Sequence, residues 1–199
     1  KVFEVGQFVR PENVNSHYYN TGPEIWEQSS GLVDILVMCQ GTGGTVTGTA
    51  RFLKEKNPDL KVFISEPLES PILAEGIIGQ HKVQGIADGL IPEILELDYI
   101  DGIIQVHSDE AMETARDLAR SEGIFCGISS GCNVAAAIKA AKKFPDARMI
   151  VTLINDNGLR YLSTELCGTH QKRKMLNREY SLTGEDRARL KARNFMIIK

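Results

Sequence analysis

Short unbroken apolar runs alternate along this chain with stretches whose apolar residues recur every three or four positions. Runs of strand length stand at DILVMC (34–39), KVFISEP (61–67), GIIQV (102–106), GIFC (123–126) and RMIVTLI (148–154). None alternates strictly between polar and apolar residues, as a strand with one wet face would, so the strands are predicted to be covered on both sides. Between them lie helical patterns at 45–56, 70–77, 108–123, 133–144 and 155–166. In the third of these Ser108 is the expected N-cap, Ala111, Ala115, Leu118 and Ala119 share one face, and Gly123 marks the stop. Strand-then-helix units in series predict an α/β fold, a parallel sheet between two helical layers, with no internal repeat.

At 199 residues, 42% hydrophobic and 25% charged, the chain is long enough to bury a core of ordinary size. A net charge of −3 gives no reason to expect nucleic acid or a membrane as partner. No apolar run approaches the roughly 18–20 residues of a membrane span, and no secretory leader is expected. Charge is unevenly spread: residues 170–199 carry nine Lys and Arg against three Asp and Glu, the remainder fourteen against twenty-three. A solvated helix and tail accounts for that segment, with electrostatic docking of a partner as the alternative. The four cysteines, Cys39, Cys126, Cys132 and Cys167, lack C-x-x-C spacing, and the four histidines stand singly. Free buried thiols in a reducing cytoplasm are predicted, and no metal constellation.

In a parallel sheet, ligands sit beyond the carboxyl ends of the strands, where loops meet helix N-termini. Three loops qualify, at 41–45, 127–131 and 155–158. The first opens GTGGTVTG (41–48), where Gly41, Gly43 and Gly44 let several backbone N–H groups converge and the following helix adds the positive end of its dipole. Thr42 and Thr45 can add hydroxyl donors, and a phosphate suits this arrangement best. A dinucleotide is a rival ligand, because Gly41-x-Gly43 begins like G-x-G-x-x-G and Glu66 could hold a ribose. Val46 stands where the third glycine should fall, however, and no lysine follows Gly48 to make a nucleotide-binding P-loop. A second rival is GISSG (127–131), which satisfies the G-x-S-x-G of a hydrolase nucleophile, with Asp146 or Asp156 and then His170 in the required order. The plainer account is that Ser129 and Ser130 cap the next helix.

Taken together, GQFVRPENVNSHYYNTGPEIWEQ, GTGGTVTG, SEP, HKVQGIADGLIP, GIFCGISSG and NDNGLRYLST occur in the order and spacing of the cysteine synthase family. From Gln7 to Leu166 the chain resembles these fold-type II pyridoxal-phosphate enzymes, a group that includes cystathionine β-synthase and threonine dehydratase. The resemblance implies the Rossmann-like large domain of that fold and pyridoxal 5′-phosphate as cofactor. Gly41, Thr42, Gly43, Gly44 and Thr45 would then hold the cofactor phosphate, and Asn157 would meet the pyridine nitrogen. Gln7 would meet the substrate carboxylate, with Gly85 and Ala87 in the substrate-facing loop. The implied activity is β-elimination or β-replacement on cysteine or O-acetylserine through an aminoacrylate, with sulfide as partner, in a cytoplasmic homodimer. Alternatives are a cystathionine β-synthase-like enzyme, a threonine or serine dehydratase, or a non-catalytic binding module.

Three departures from the family pattern matter. Asn157 replaces the usual serine; its carboxamide can offer an N–H to an unprotonated ring nitrogen but cannot stabilise a pyridinium as an ionised Asp would. In GIADG (85–89) Ala87 replaces a glycine and Asp88 adds a carboxylate, which is either a solvated turn residue or a base that activates water, so that cysteine would yield sulfide and serine. The Schiff-base lysine and the substrate-carboxylate loop of the family's N-terminal half have no counterpart, and none of Lys54, Lys82 or Lys139 stands in a matching context. Residues 1–199 are therefore expected to be the C-terminal portion of a longer chain, mainly its cofactor-binding large domain. Residues 1–8 would return from the absent half and 170–199 would form a basic extension. In that extension Thr183 is expected to cap a helix and FMII (195–198) to pack on a partner.

Overall fold

A computed structural model describes residues 2–168 and 181–199. Five strands, β1 (Ile35–Cys39), β2 (Lys61–Pro67), β3 (Gly102–Val106), β4 (Ile150–Thr152) and β5 (Met196–Ile198), form one sheet in the order β4-β1-β2-β3-β5. Every pairing is parallel. The central strands are sealed on both faces, with Leu36, Val37, Val62, Ile64, Ile103 and Ile104 wholly buried, which is why their sequences do not alternate.

The chain steps from β1 to β2 through α3 (Gly44–Lys56) and on to β3, then returns through α5 (Ser108–Ser121) and α6 (Ile128–Lys143) to β4 on the far side of β1. Parallel crossovers are right-handed, so opposite directions of travel place these helices on opposite faces of the sheet. The three expected layers result. The reversal of direction falls between β1 and β4, and there the loops after the two strands part.

Several local expectations are corrected. GIFC is not a strand of the sheet: Cys126 makes only an isolated antiparallel bridge to Asn157, while Ile124 and Phe125 stay partly exposed. FMII contributes β5, which pairs on the edge of β3 with Gly102 opposite Met196, and Met196 and Ile197 stay exposed. Thr183 does cap α7 (Gly184–Lys191), in a reciprocal box with Asp186. The helical pattern at 70–77 shrinks to α4 (Ile72–Glu75), and that at 155–166 to one 3₁₀ turn, Gly158–Tyr161. The N-cap of α5 is His107, whose Nδ1 accepts from the Asp109 N–H, and Ser108 is the first helical residue. The tail segment 169–180, with His170, lies outside the described residues.

Unpredicted is a helical rod near the N-terminus, made of α1 (Pro11–Ser16), a π-type turn at His17–Thr21 and α2 (Gly22–Gln28). It packs along α3. No helix among the described residues is long and apolar enough to cross a membrane.

Helices α5 and α6 cross at Gly131, where a Cβ would overlap the Ala111 carbonyl and sit 2.8 Å from the Ala115 nitrogen, both backbone atoms that cannot step aside. Gly131→Ala is expected to cost about 1–3 kcal/mol by overpacking, read as a melting temperature several degrees lower. An unchanged melting temperature would show that the helices can part at no cost.

Candidate functional site

The reversal between β1 and β4 is held by one amide. Asn133 of α6 is completely buried; its Oδ1 accepts from the Cys39 N–H (2.7 Å) and the Ser65 hydroxyl (2.9 Å), and its Nδ2 donates to the Leu153 carbonyl (2.9 Å). Pairing of β1 with β4 ends at Val37 and Thr152, so Asn133 takes over as hydrogen-bond partner where the strands diverge. Beyond it the loop from β4 is pinned to α6. The Asn155 N–H donates to Ser130 Oγ (2.9 Å) and Asn155 Nδ2 to Ser129 Oγ (3.1 Å). These serines are buried and do not cap the helix, whose N-cap is Gly127. They are positioning groups for residue 155, and no nucleophile is presented.

The parted loops enclose a cavity of about 250 Å³ lined by the glycine turn (Gly41, Thr42, Gly43, Thr45), by Gln84, Gly85 and Ile86, and by Ser129, Asn155, Asp156 and Tyr161. A larger groove of about 710 Å³ lies between α5 and 165–168. It touches neither a glycine turn nor the carboxyl end of a strand, so the ligand is assigned to the smaller cavity.

The turn is built for an acceptor-only ligand. Gly43 adopts φ +83° as N-cap of α3 and has no side chain to cap it, while the Gly44 N–H donates to Thr42 Oγ1 (3.3 Å). The first-turn N–H groups of a helix have no partner within it, and among the described residues the N–H groups of Gly41, Thr42, Gly43 and Thr45 have no backbone partner elsewhere. A Cβ on Gly41 would lie 2.9 Å from the Gly85 carbonyl, so the turn and the 84–86 loop close on each other. Donors without acceptors at the head of a 13-residue helix fit an oxyanion such as a cofactor phosphate.

Of the expected site residues, Gly41, Thr42, Gly43, Thr45 and Gly85 line this cavity. Gly44 lies in the same turn as the first residue of α3. Ala87 is buried beside them with φ +51°, a left-handed conformation that suits the glycine it replaces. Its N–H donates to the Gln40 carbonyl (3.3 Å), and its carbonyl lies 3.4 Å from His81 Nε2. Asp88 follows it and is exposed. Gln7 is exposed outside the cavity, its carbonyl accepting from Asn13 Nδ2 (2.9 Å). Asn157 also stands outside the lining, exposed, with its Oδ1 accepting from the Leu159 N–H (2.8 Å); Asn155 and Asp156 hold the wall instead. Asn13, Asn133 and Asn155 were missed because a polar residue in a helix or loop carries no local sign of where it points.

Asp156 accepts from the Tyr161 hydroxyl (2.8 Å), while its buried Oδ1 has no protein partner among the described residues. Burial, then this bond to Asp156, raises the pKa of Tyr161, so the phenol stays protonated. Burial likewise pushes the Cys39 thiol up to about 11, against a smaller opposing effect from Asn155. Neither is a nucleophile near neutral pH. The four cysteines are free.

Glu66, the candidate ribose acid, is turned inward. Its carboxylate accepts from the Leu73 (2.9 Å) and Ala74 (3.2 Å) N–H groups. It is therefore committed to α4. Burial pushes its pKa up to about 7, with those backbone bonds opposing.

A family profile described as pyridoxal-phosphate dependent enzyme matches residues 1–156. Cysteine synthase B of Campylobacter jejuni is 48% identical over 164 residues, covering 82% of this chain and 54% of that protein. Among solved structures, a cysteine synthase from Entamoeba histolytica superposes with TM-score 0.78 at 39% identity, covering 84% of this chain and 50% of the other. A hydrogen sulfide-producing enzyme from Fusobacterium nucleatum superposes with TM-score 0.80 at 34% identity, covering 86% and 52%. The chain belongs to the pyridoxal-phosphate dependent enzyme family. It spans about half the length of the curated relatives it matches.

Two measurements test this account of the site. Asn133→Leu leaves the Cys39 N–H and Leu153 carbonyl buried without a partner and should cost at least about 2 kcal/mol, read from urea denaturation; an unchanged midpoint would show that the bridge is dispensable. For Glu66 the native state binds its proton more tightly than the unfolded chain. Its stabilising contribution is thus complete below pH 4.5, the group's ordinary value, and is lost as pH rises through about 7. Between about pH 5 and pH 8 wild type should lose on the order of 2 kcal/mol relative to Glu66→Gln; parallel pH profiles would contradict the assignment.

Proposed function

We propose that this chain forms the phosphate-binding and substrate-facing side of a pyridoxal-phosphate enzyme that eliminates or replaces the β-substituent of cysteine or O-acetylserine, with sulfide released or consumed. The observation that carries this reading is the convergence of the glycine turn, the 84–86 loop and residues 153–156 on one cavity where the sheet reverses direction. Pyridoxal phosphate, when bound, supplies an electron sink for negative charge developing beside the substrate amino group.

Each segment then has a task. Backbone N–H groups of Gly41, Thr42, Gly43 and Thr45, with the two hydroxyls and the α3 dipole, would hold the phosphate, while the Gly44 N–H is engaged by Thr42 Oγ1. Asn157 stands outside the cavity lining with its oxygen engaged by the Leu159 N–H, so no contact with the ring nitrogen is assigned to it. Gly85, in the cavity lining, and its near neighbour Ala87 would face the amino acid substrate. The cavity lining contains no lysine. The amine that anchors the cofactor would therefore come from outside the residues that line the cavity, and the complete enzyme would be a cytoplasmic homodimer.

Asp88 decides the direction of the reaction in this reading. It stands two positions after Ile86 of the cavity lining and follows a residue whose N–H donates to the Gln40 carbonyl and whose carbonyl lies 3.4 Å from His81 Nε2. A carboxylate there can take a proton from water, delivering hydroxide to the β-carbon and giving serine and sulfide from cysteine. Its exposure favours the second reading, a solvated Asp-Gly turn in an enzyme that makes cysteine from O-acetylserine and sulfide.

The complete protein loaded with pyridoxal phosphate, given cysteine alone and then O-acetylserine plus sulfide, is expected to release sulfide and serine from the former. Cysteine formed only from the latter selects the second reading, and no product from either ends both. Asp88→Asn should slow serine formation by about 10²–10⁴-fold while the absorbance of bound cofactor is retained. An unchanged serine yield would remove Asp88 from the mechanism.

A further inference from the structure

Two side chains of the N-terminal rod reach the glycine turn without lining the cavity. Asn13 Nδ2 donates to the Gln7 carbonyl (2.9 Å) and to Thr42 Oγ1 (3.0 Å). A carbonyl can only accept, so the nitrogen of Asn13 faces both contacts and the Thr42 oxygen is an acceptor in the second. The Gly44 N–H also reaches Thr42 Oγ1 (3.3 Å). A hydroxyl has two acceptor sites and one proton. With both sites filled, Thr42 has only its proton left to give.

One helical turn further on, His17 repeats the arrangement. Its Nε2 lies 3.1 Å from Thr45 Oγ1 and its Nδ1 2.8 Å from Thr21 Oγ1. Partial burial lowers its pKa, so the ring is neutral at pH 7, with one N–H and one lone pair. If Nδ1 carried the hydrogen, the Thr45 hydroxyl would spend its proton on Nε2 and turn lone pairs toward the cavity. If Nε2 carries it, Thr21 donates to Nδ1 and the Thr45 proton is released to the cavity.

We propose that Asn13 and His17 are positioning residues that set the polarity of the cradle: their Nδ2 and Nε2–H groups fill the acceptor side of Thr42 and Thr45, so that both hydroxyls point a proton at an acceptor-only oxyanion, a phosphate dianion. This deepens, and rests on, the reading of the turn as a phosphate site. Two glycines support it independently of any ligand. A Cβ on Gly44 would overlap the Asn13 amide, and one on Gly48 would overlap the Val14 carbonyl and lie 2.9 Å from His17 Cβ. Both admit the rod rather than the ligand.

The tautomer of His17 is read directly from ¹⁵N shifts of histidine-labelled chain, with and without pyridoxal phosphate, and Nε2–H is expected in both. Affinity for pyridoxal phosphate, and for inorganic phosphate as a simpler probe, is measured by equilibrium dialysis on variants whose melting temperatures confirm folding. His17→Leu should weaken binding roughly tenfold, whereas His17→Gln, which keeps a donor near the Nε2 position, should stay close to wild type. His17→Leu added to Thr45→Val should cost nothing beyond Thr45→Val alone, since the imidazole acts through that hydroxyl. An Nδ1–H tautomer, or fully additive losses, overturns the proposal while leaving the phosphate site standing. A wild-type chain that binds neither probe overturns the phosphate reading and, with it, the purpose given to these residues.

Discussion

The carboxamide of Asn133 is the contact on which the site depends. A parallel sheet that reverses its winding direction must leave backbone groups without strand partners at the point of divergence, and buried orphans of that kind are costly. A single side chain on α6 takes up the donor from β1 and the acceptor beyond β4, and adds a link to Ser65 on β2. The opening between the two loops is therefore bounded by hydrogen bonds to one buried side chain. The cavity exists in the fold without having to be pushed open, and the donors around it are held in place before any ligand arrives.

Much of the sheet was legible because burial on both faces writes itself into sequence as unbroken apolar runs, as at β1, β2 and β3. The same signal misled at GIFC, where apolar side chains are only half covered and the run is bounded by Gly123 and Gly127. β5 could not be read locally, since Met196 pairs with Gly102 across more than ninety residues of chain. The N-terminal rod was invisible to periodicity, because only Val14, Gly22 and Ile25 along it are buried and its other apolar residues do not recur at helical spacing. The glycine turn was the most legible part of the site, as its chemistry resides in the backbone and only glycine permits it. The asparagines were the least legible, since their meaning comes from neighbours brought together by folding.

Reading GTGGTVTG as one motif hides a division of labour. Gly41 lets the 84–86 loop approach and Gly43 turns the chain at φ +83° against Leu95, while Gly44 and Gly48 make room for the rod that packs along α3. The spacing that fails the dinucleotide fingerprint at Val46 answers to a helix, not to a nucleotide. Sequence motifs of this kind record steric demands from several directions at once.

The π-type turn at His17–Thr21 carries a consequence for how such chains can diverge. It amounts to one surplus residue accommodated within a continuous helix, and each residue of an α-helix advances about 100° around the axis. Loss of one of residues 17–21 would return the turn to plain α-helix with little rotation of its two ends, whereas loss of a residue from α1 or α2 would swing everything on one side of the gap by that angle relative to the other. Either Asn13 and His17 would rotate away from the threonines, or α2 would rotate away from Phe52, which Gly22 now touches. The rod is thus intolerant of length change on either side of the turn although half of its residues are exposed, and gaps among homologues should fall at 17–21 rather than in α1 or α2.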